Sequence, residues 1–317
     1  MKAKPKIGVS ACLLGEPVRY NRGHTQDKWL LRELGKYVDF YPFCPEVEMG
    51  LGVPREEIHL YYKGDDTENL NLRSKFSRED LTDKAQKTYH RMNEFMDREH
   101  LDGIVLMKKS PSCGIGNVKT VSEDETGPVK LLRGLYANNI VNRYPDLPKV
   151  DSGRFKNPIL REHFVKQVFA HYRFSLLPHE ISKLQDFHKR YKYILMEHDQ
   201  DALRELGRIC ANNAQDRIDH VFKNYKSLFF QTLETQASIN NRTNTLYHIM
   251  GYVKKNLSSE EKKDVIDLIE EFKNGIHNYM VPLKLLRFFI DKYDVEYLQN
   301  HYYFAPYPKE LKLHKDI

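Results

Sequence analysis

Three of the four cysteines in the chain follow short apolar segments that are typical of buried strands. Cys12 comes after the first segment, Cys44 after the second and Cys113 after the third. Because the carboxyl ends of parallel strands meet at one edge of a sheet, where ligands bind, we expect the three thiols to lie close together. Soft thiolates select iron–sulfur clusters, copper(I) or zinc. The alternative is three unrelated core residues, since free cysteine is among the most buried residue types.

Proline constrains the loop around each of these cysteines. Pro17, Pro45 and Pro111 each lie close in sequence to one of them. Such loops turn backbone N–H groups towards sulfur or anions. No pair of cysteines has the C-x-x-C spacing of local zinc or ferredoxin sites. Three thiolates suit three corners of a four-iron cluster, whose fourth iron would keep an exchangeable site and act as a Lewis acid.

The elements that deliver these loops alternate between strand and helix patterns. The strand-like segments cover residues 6–11, 37–43 and 103–107. Residues 80–100 carry apolar side chains at helical spacing, and we expect residues 131–140 to form a further helix. This alternation predicts an α/β fold, a Rossmann-like domain with a mainly parallel sheet.

The pattern changes after a stretch rich in proline that ends near residue 158. Beyond it the periodicity is helical, which predicts an all-α helical domain. Ser258 and Glu261 form a capping-box pattern at the start of one helix, and Gly275 stands where that helix should end. We place the boundary after residue 153, so that residues 1–153 form the α/β domain and residues 154–317 the helical domain.

The formal net charge of +6 lies mostly in the second domain. Residues 1–153 hold 24 basic and 23 acidic side chains, and the remainder of the chain holds 26 and 21. This excess is compatible with a polyanionic partner and equally with an ordinary, slightly basic soluble protein. No apolar run approaches the roughly 18 residues of a membrane span. The N-terminal apolar segment is short and lacks a cleavage site, so we expect a cytoplasmic protein with reduced cysteines.

Three segments of the first domain resemble the TudS-type thiouracil desulfidase family: S-A-C-L-L-G-x-x-V-R-Y, F-C-P-E-V-x-x-G-L-x-x-P-R and K-x-S-P-S-C-G. Enzymes of this family use a [4Fe-4S] cluster held by three cysteines to remove sulfur from a thiolated pyrimidine. The resemblance implies that Glu46 and Ser110 are catalytic. It also implies that the cluster ligands are the three cysteines, Cys12, Cys44 and Cys113.

The second domain resembles the helical partner of the longer, RudS-type desulfidases, which act on 4-thiouridine in tRNA. Residues 187–196 and 305–311 carry this resemblance. In the same region three cations interleave with aromatic residues: Lys189, Arg190 and Lys192. Such a run usually marks an exposed, solvated helix face. The more specific alternative is that the three cations contact RNA phosphates.

Several site residues have two interpretations. Glu46 is close in sequence to Cys44 and would act as a general base on water, or it would only order the loop at a helix N-terminus. Ser110 would assist it, or would merely form a turn before a proline. Cys210 lies on a helix among leucines and is expected to be a core residue.

Three arginines that follow the cysteine loops would contact a phosphate or a pyrimidine carbonyl: Arg19, Arg22 and Arg55. Surface salt bridges account for them equally well. Asn21 replaces an aspartate that is common in the family, and neither it nor His24 has an assigned role.

The sequence thus predicts a [4Fe-4S]-dependent desulfidase of 4-thiouridine in tRNA, with no membrane and no protein partner. One alternative is a desulfidase of free 2-thiouracil or another small thiolated pyrimidine base, since a small substrate needs no second domain. An alternative of another class is a non-catalytic RNA-binding protein with a structural metal site.

Overall fold

The computed structural model describes residues 3–211 and 217–313. The chain divides into two compact units, Met1–Tyr172 and Arg173–Ile317. The first is built on two sheets and the second is helical, which confirms the predicted fold class. The predicted boundary at residue 153 remains a prediction about where independently folding domains meet. Within the described residues, no helix is long and apolar enough to cross a membrane.

A parallel sheet carries the cysteine loops. Its strands are β1 (Lys6–Ser10), β2 (Asp39–Phe43), β5 (Gly103–Leu106) and β8 (Lys149–Asp151). They lie in the order β2-β1-β5-β8, and every neighbouring pair is parallel. The two central strands, β1 and β5, are almost wholly buried, as expected where both faces of a sheet are covered. All four carboxyl ends therefore point to the same edge.

A second, mixed sheet was not foreseen. Its strands are β3 (Ile58–Lys63), β4 (Asp66–Ser74), β6 (Val118–Ser122) and β7 (Lys130–Leu132). They lie in the order β4-β3-β6-β7. β3 pairs antiparallel with β4 and parallel with β6, and β7 closes the sheet antiparallel to β6. This sheet follows the Cys44 and Cys113 loops in sequence.

The first unit contains four helices before the boundary region: α1 (Lys28–Arg32), α2 (Pro45–Glu48), α3 (Thr82–Glu99) and α4 (Leu135–Arg143). The expected helix over residues 131–140 is wrong in its first turn. Leu131 and Leu132 belong to β7, and Gly134, which is extended, precedes the helix. Over so short an apolar run, the sequence pattern of a strand cannot be distinguished from that of a helix, so residues 131–140 were all assigned to one helix.

The remaining helices are α5 (Pro158–Ser175), α6 (Ile181–His198), α7 (Gln200–Ala211), α8 (Ile218–Glu234), α9 (Ile239–Val253), α10 (Ser259–Lys273), α11 (Met280–Lys292) and α12 (Glu296–Gln299). Ser258 and Glu261 form the predicted capping box at the start of α10. Gly275 follows that helix with φ +75°, a conformation that favours glycine. The core of this unit is aromatic, with Phe187, Tyr191 and Phe229 in mutual ring contact.

Candidate metal centre and catalytic site

Three loops at the carboxyl edge of the parallel sheet bring the three cysteines to one cavity. Cys12 lies in a short 3₁₀ turn directly after β1, Cys44 caps the N-terminus of α2 directly after β2, and Cys113 lies in the loop after β5. All three line a cavity of about 470 Å³. The topological expectation that the thiols converge is therefore met by the geometry of the first unit alone.

Burial governs the chemistry of these thiols. Cys12 and Cys113 are buried and Cys44 is half-buried, and none forms a disulfide. Burial raises the pKa of Cys12 and raises that of Cys44 to about 11. Burial also raises the pKa of Cys113, and negative charge on Glu46 or on either of the other two cysteines raises it further. The metal-free thiols are consequently protonated at neutral pH, and binding of a metal would release their protons.

The donor set fits an iron–sulfur cluster. Three thiols, each from a different loop, line the described part of this cavity together with carboxylates that all follow Cys44 in sequence. Soft sulfur is the ligand that iron–sulfur clusters require. Among the described residues, no three His, Cys, Asp or Glu side chains converge tightly enough to hold a single metal ion. A four-iron cluster does not require that convergence, because each thiolate binds a different iron. Cys12, Cys44 and Cys113 are therefore the residues that would hold it.

The Glu46 carboxylate is held by three side chains. Its Oε2 accepts from the guanidinium of Arg55 in an ion pair. Its Oε1 accepts from the hydroxyls of Ser110, at 3.3 Å, and Ser112, at 3.2 Å. Glu46 lies in the first turn of α2, which also favours a negative charge there. Glu46 lines the same cavity as the three cysteines.

Backbone donors orient the Ser110 hydroxyl. Its Oγ accepts from the N–H of Ser112 at 3.2 Å and from the N–H of Cys113 at 3.1 Å. The hydroxyl proton is left to point towards Glu46. The turn interpretation and the catalytic interpretation of Ser110 are thus compatible, because the turn itself aims the hydroxyl at the carboxylate.

Arg55 lies at the site in a different manner from the one expected. Its side chain is only 4% exposed. Beyond Glu46, it donates to the carbonyls of Val18 at 2.9 Å and Gly52 at 3.0 Å. Within the described residues its Nε is buried without a hydrogen-bond partner. The guanidinium is therefore committed largely to Glu46 and to two backbone carbonyls of the surrounding loops.

The other two predicted arginines, Arg19 and Arg22, differ in whether they reach the cavity. Arg19 lines the cavity, and its charge lowers the pKa of Cys12 against the larger effect of burial. Arg22 is exposed, does not line the cavity and has a left-handed backbone with φ 61°. Asn21 accepts from the Gly23 N–H at 3.1 Å, which is a local turn contact. The structure therefore brings Arg19, and not Arg22, to the three cysteines.

Sequence reasoning missed Ser112. Its side chain is fully buried and its hydroxyl donates to the same Glu46 oxygen as Ser110. The signal was present in the S-P-S-C segment, where two serines flank a proline directly before the ligand. Periodicity offers no guide in such a loop, and only the position of Glu46 on another element reveals which serine faces it.

In the helical unit, α6 carries the three predicted cations. Lys189 is exposed, whereas Arg190 and Lys192 are half-buried. Arg190 donates from Nε to the Asn300 carbonyl at 3.1 Å and covers the ring of Tyr302. It is therefore partly engaged in holding the C-terminal segment. Cys210 is buried on α7, and burial raises its pKa to about 12, as expected of a core cysteine.

Comparisons with known proteins assign the two halves of the chain to different families. Residues 7–152 match the 2-thiouracil desulfurase family, and residues 192–308 match DUF1722, a family of unknown function. The uncharacterized protein YbgA of Escherichia coli K12 is 27% identical over 151 residues, which cover 46% of this chain and 89% of that protein. A [4Fe-4S]-dependent thiouracil desulfidase, TudS, is 25% identical, with a TM-score of 0.38, over 48% of this chain and 94% of that one. The first part of the chain is thus similar to the 2-thiouracil desulfurase family and a later part to DUF1722.

Proposed function

We propose that this two-domain member of the thiouracil desulfidase family is a [4Fe-4S]-dependent enzyme that removes sulfur from 4-thiouridine in tRNA, giving uridine and sulfide. One observation carries the proposal. Three thiols from three strand ends and a carboxylate fixed by two serines and an arginine line the same cavity. This combination supplies ligands for a cluster and a separate acid–base group, as the removal of sulfur by water requires.

The cluster would be held by Cys12, Cys44 and Cys113, and its fourth iron would supply a soft Lewis acid for a thiocarbonyl sulfur. Cys12 and Cys113 are themselves shielded from solvent, whereas Cys44 is half-buried. The family match over residues 7–152 supports this use of the site. A purely structural metal site would not need a fixed carboxylate beside its ligands.

Glu46 is the group that we assign to proton transfer. Glu46 lines the cavity and would accept a proton from the attacking water as a general base. Arg55 keeps the carboxylate in place through Oε2, and Ser112 fixes Oε1 from the buried side. Ser110, whose oxygen already accepts two backbone N–H groups, donates its proton towards Glu46 and would pass a proton between carboxylate and substrate.

Two substrates have support. The family description for residues 7–152 favours free 2-thiouracil, and the cavity belongs to the first unit alone. The second domain and its excess of basic residues favour RNA, because a small base needs no further binding surface. We place tRNA first, with Arg19 as the arginine available to a phosphate or a pyrimidine carbonyl.

The test compares both substrates on one anaerobic preparation with an assembled cluster. Thiolated tRNA should lose its 4-thiouridine absorbance while an equal amount of sulfide appears. The same preparation should be assayed with free 2-thiouracil. Turnover of 2-thiouracil with thiolated tRNA unchanged would transfer the assignment to the small base, and no turnover of either substrate would end the desulfidase proposal.

A further inference from the structure

An exposed pair of stacked tyrosines lies beside the basic residues of α6. The rings of Tyr252 and Tyr297 are 5.2 Å apart and nearly parallel, at 12°. Tyr252, near the end of α9, is 41% exposed, and Tyr297 on α12 is half-buried beneath it. A flat, exposed ring supported from below by a second ring is a surface on which a further planar group can stack.

Two lysines lie against the inner ring of this pair, that of Tyr297. The Nζ of Lys189 lies 5.2 Å from the centre of the Tyr297 ring and that of Lys192 lies 6.0 Å from it. Among the residues that the structure describes, neither lysine forms an ion pair with a carboxylate. Their charges are therefore not neutralised by a carboxylate of the described residues and are available to an anion near Tyr297.

His301, which packs against Tyr297, adds no charge to this surface at neutral pH. His301 is 3% exposed and packs against Tyr297 at 5.1 Å and Tyr193 at 4.8 Å. Burial and then the charges of Lys192 and Lys189 lower the pKa of His301 to about 4, so the ring is neutral at pH 7.

We infer that Tyr252, stacked on Tyr297 whose ring is contacted by Lys189 and Lys192, binds an unpaired base of RNA whose neighbouring phosphates contact the two lysines. Aromatic rings beside lysines are the arrangement with which proteins hold single strands, because every base has a face that stacks and every nucleotide a phosphate. A base inside a duplex is already stacked and cannot lie on the tyrosine. This inference rests on the proposed function, to which it adds the part of the RNA that the helical unit recognises.

A second exposed aromatic offers a matched control. Phe288 on α11 is 58% exposed and contacts the ring of Phe289. Its neighbouring cation, Arg287, pairs with Asp291 at 2.9 Å. Phe288 is thus at least as exposed as Tyr252, and the cation of its neighbour Arg287 is already paired.

The experiment measures binding of the full chain to an unthiolated, fluorescently labelled oligouridylate by anisotropy, and to an RNA duplex of the same length. Tyr252→Ala should weaken single-strand binding about tenfold, since one stacked base contributes on the order of 1–3 kcal/mol, and should hardly change duplex binding. Tyr252→Phe should restore affinity, and Phe288→Ala should leave it unchanged. Lys189→Gln with Lys192→Gln should lower the slope of log affinity against log salt by about 1.4.

Equal loss for single strand and duplex, or no loss with Tyr252→Ala, would overturn the inference. Because the probe carries no sulfur, the result is independent of desulfidation. A chain that binds single strands through Tyr252 but releases no sulfide would contradict only the proposed function.

Discussion

At the scale of single residues, the site depends on how one carboxylate is held. Glu46 accepts from Arg55 on one oxygen and from Ser110 and Ser112 on the other. A side chain fixed on both oxygens cannot rotate away from the cavity, and effective acid–base catalysis requires such positioning. Arg55 is itself held in a fixed position, because its guanidinium also donates to two backbone carbonyls.

Replacing this carboxylate should separate chemistry from metal binding. Glu46→Gln should retain iron but lower turnover by about 10²–10⁴-fold, because the amide cannot accept a proton from water. Glu48→Gln, on the same helix but outside the cavity, is the matched control and should keep near-normal turnover. The measurement is sulfide release per assembled cluster, so that a partial loss of iron does not mimic a catalytic defect. Near-normal release by Glu46→Gln would remove Glu46 from the mechanism.

Residue types and spacing predicted the location of Cys12, Cys44 and Cys113, because parallel topology alone delivers strand ends to one edge. The same reasoning could not distinguish the roles of the arginines. Arg22 and Arg55 both follow a cysteine loop, yet one is exposed and the other is buried against Glu46. That difference depends on which backbone carbonyls and carboxylate a long side chain reaches, and sequence spacing does not contain this information.

At the scale of elements, the Cys113 loop is fixed by its contact with the start of α4. The backbone N–H of Gly134 donates to the Gly114 carbonyl at 2.7 Å, and that of Leu135 donates to the Pro111 carbonyl at 2.9 Å. A Cβ on Gly134 would lie 2.6 Å from the carbonyl oxygen of Ser112. Only glycine therefore permits this close approach of helix and loop.

Gly134→Ala should consequently disturb the metal site from a distance. The added methyl group meets backbone that cannot rotate away, so we expect destabilisation of about 1–3 kcal/mol and reduced iron retention. Gly116→Ala, in the same loop, has no atom within 4 Å of the added carbon and should retain iron normally. Urea unfolding and iron content of the two variants provide the comparison. Equal iron content in both would mean that the helix does not fix the loop.

The mixed sheet was the part of the fold that patterns could not predict. Only the second half of β4 is mostly buried, and its first half is polar. The strand as a whole therefore lacks a clear alternation of apolar and polar residues. β7 has only three residues, fewer than a periodicity requires. By contrast, the capping box at Ser258 was predictable, since both partners lie within one turn of the same helix.

At the scale of the whole molecule, the chain combines a metal centre in one unit with a basic, aromatic surface in the other. The site needs only residues of the first unit, whereas most of the formal charge of +6 lies beyond residue 153. This division is what we expect if the first unit carries out the proposed chemistry and the second binds the proposed RNA. The proposed chemistry requires that the three cysteines bind a cluster with an open iron rather than a single ion.

The measurement that tests this claim most directly is the iron and acid-labile sulfide content of the anaerobically prepared chain. We expect about four irons and four sulfides per chain, as a four-iron cluster requires. Cys12→Ala, Cys44→Ala and Cys113→Ala should each fail to assemble it, whereas Cys210→Ala, at a buried position on α7, should assemble it fully. Stoichiometric zinc without sulfide in the unaltered chain, or full assembly in any of the first three variants, would contradict the account.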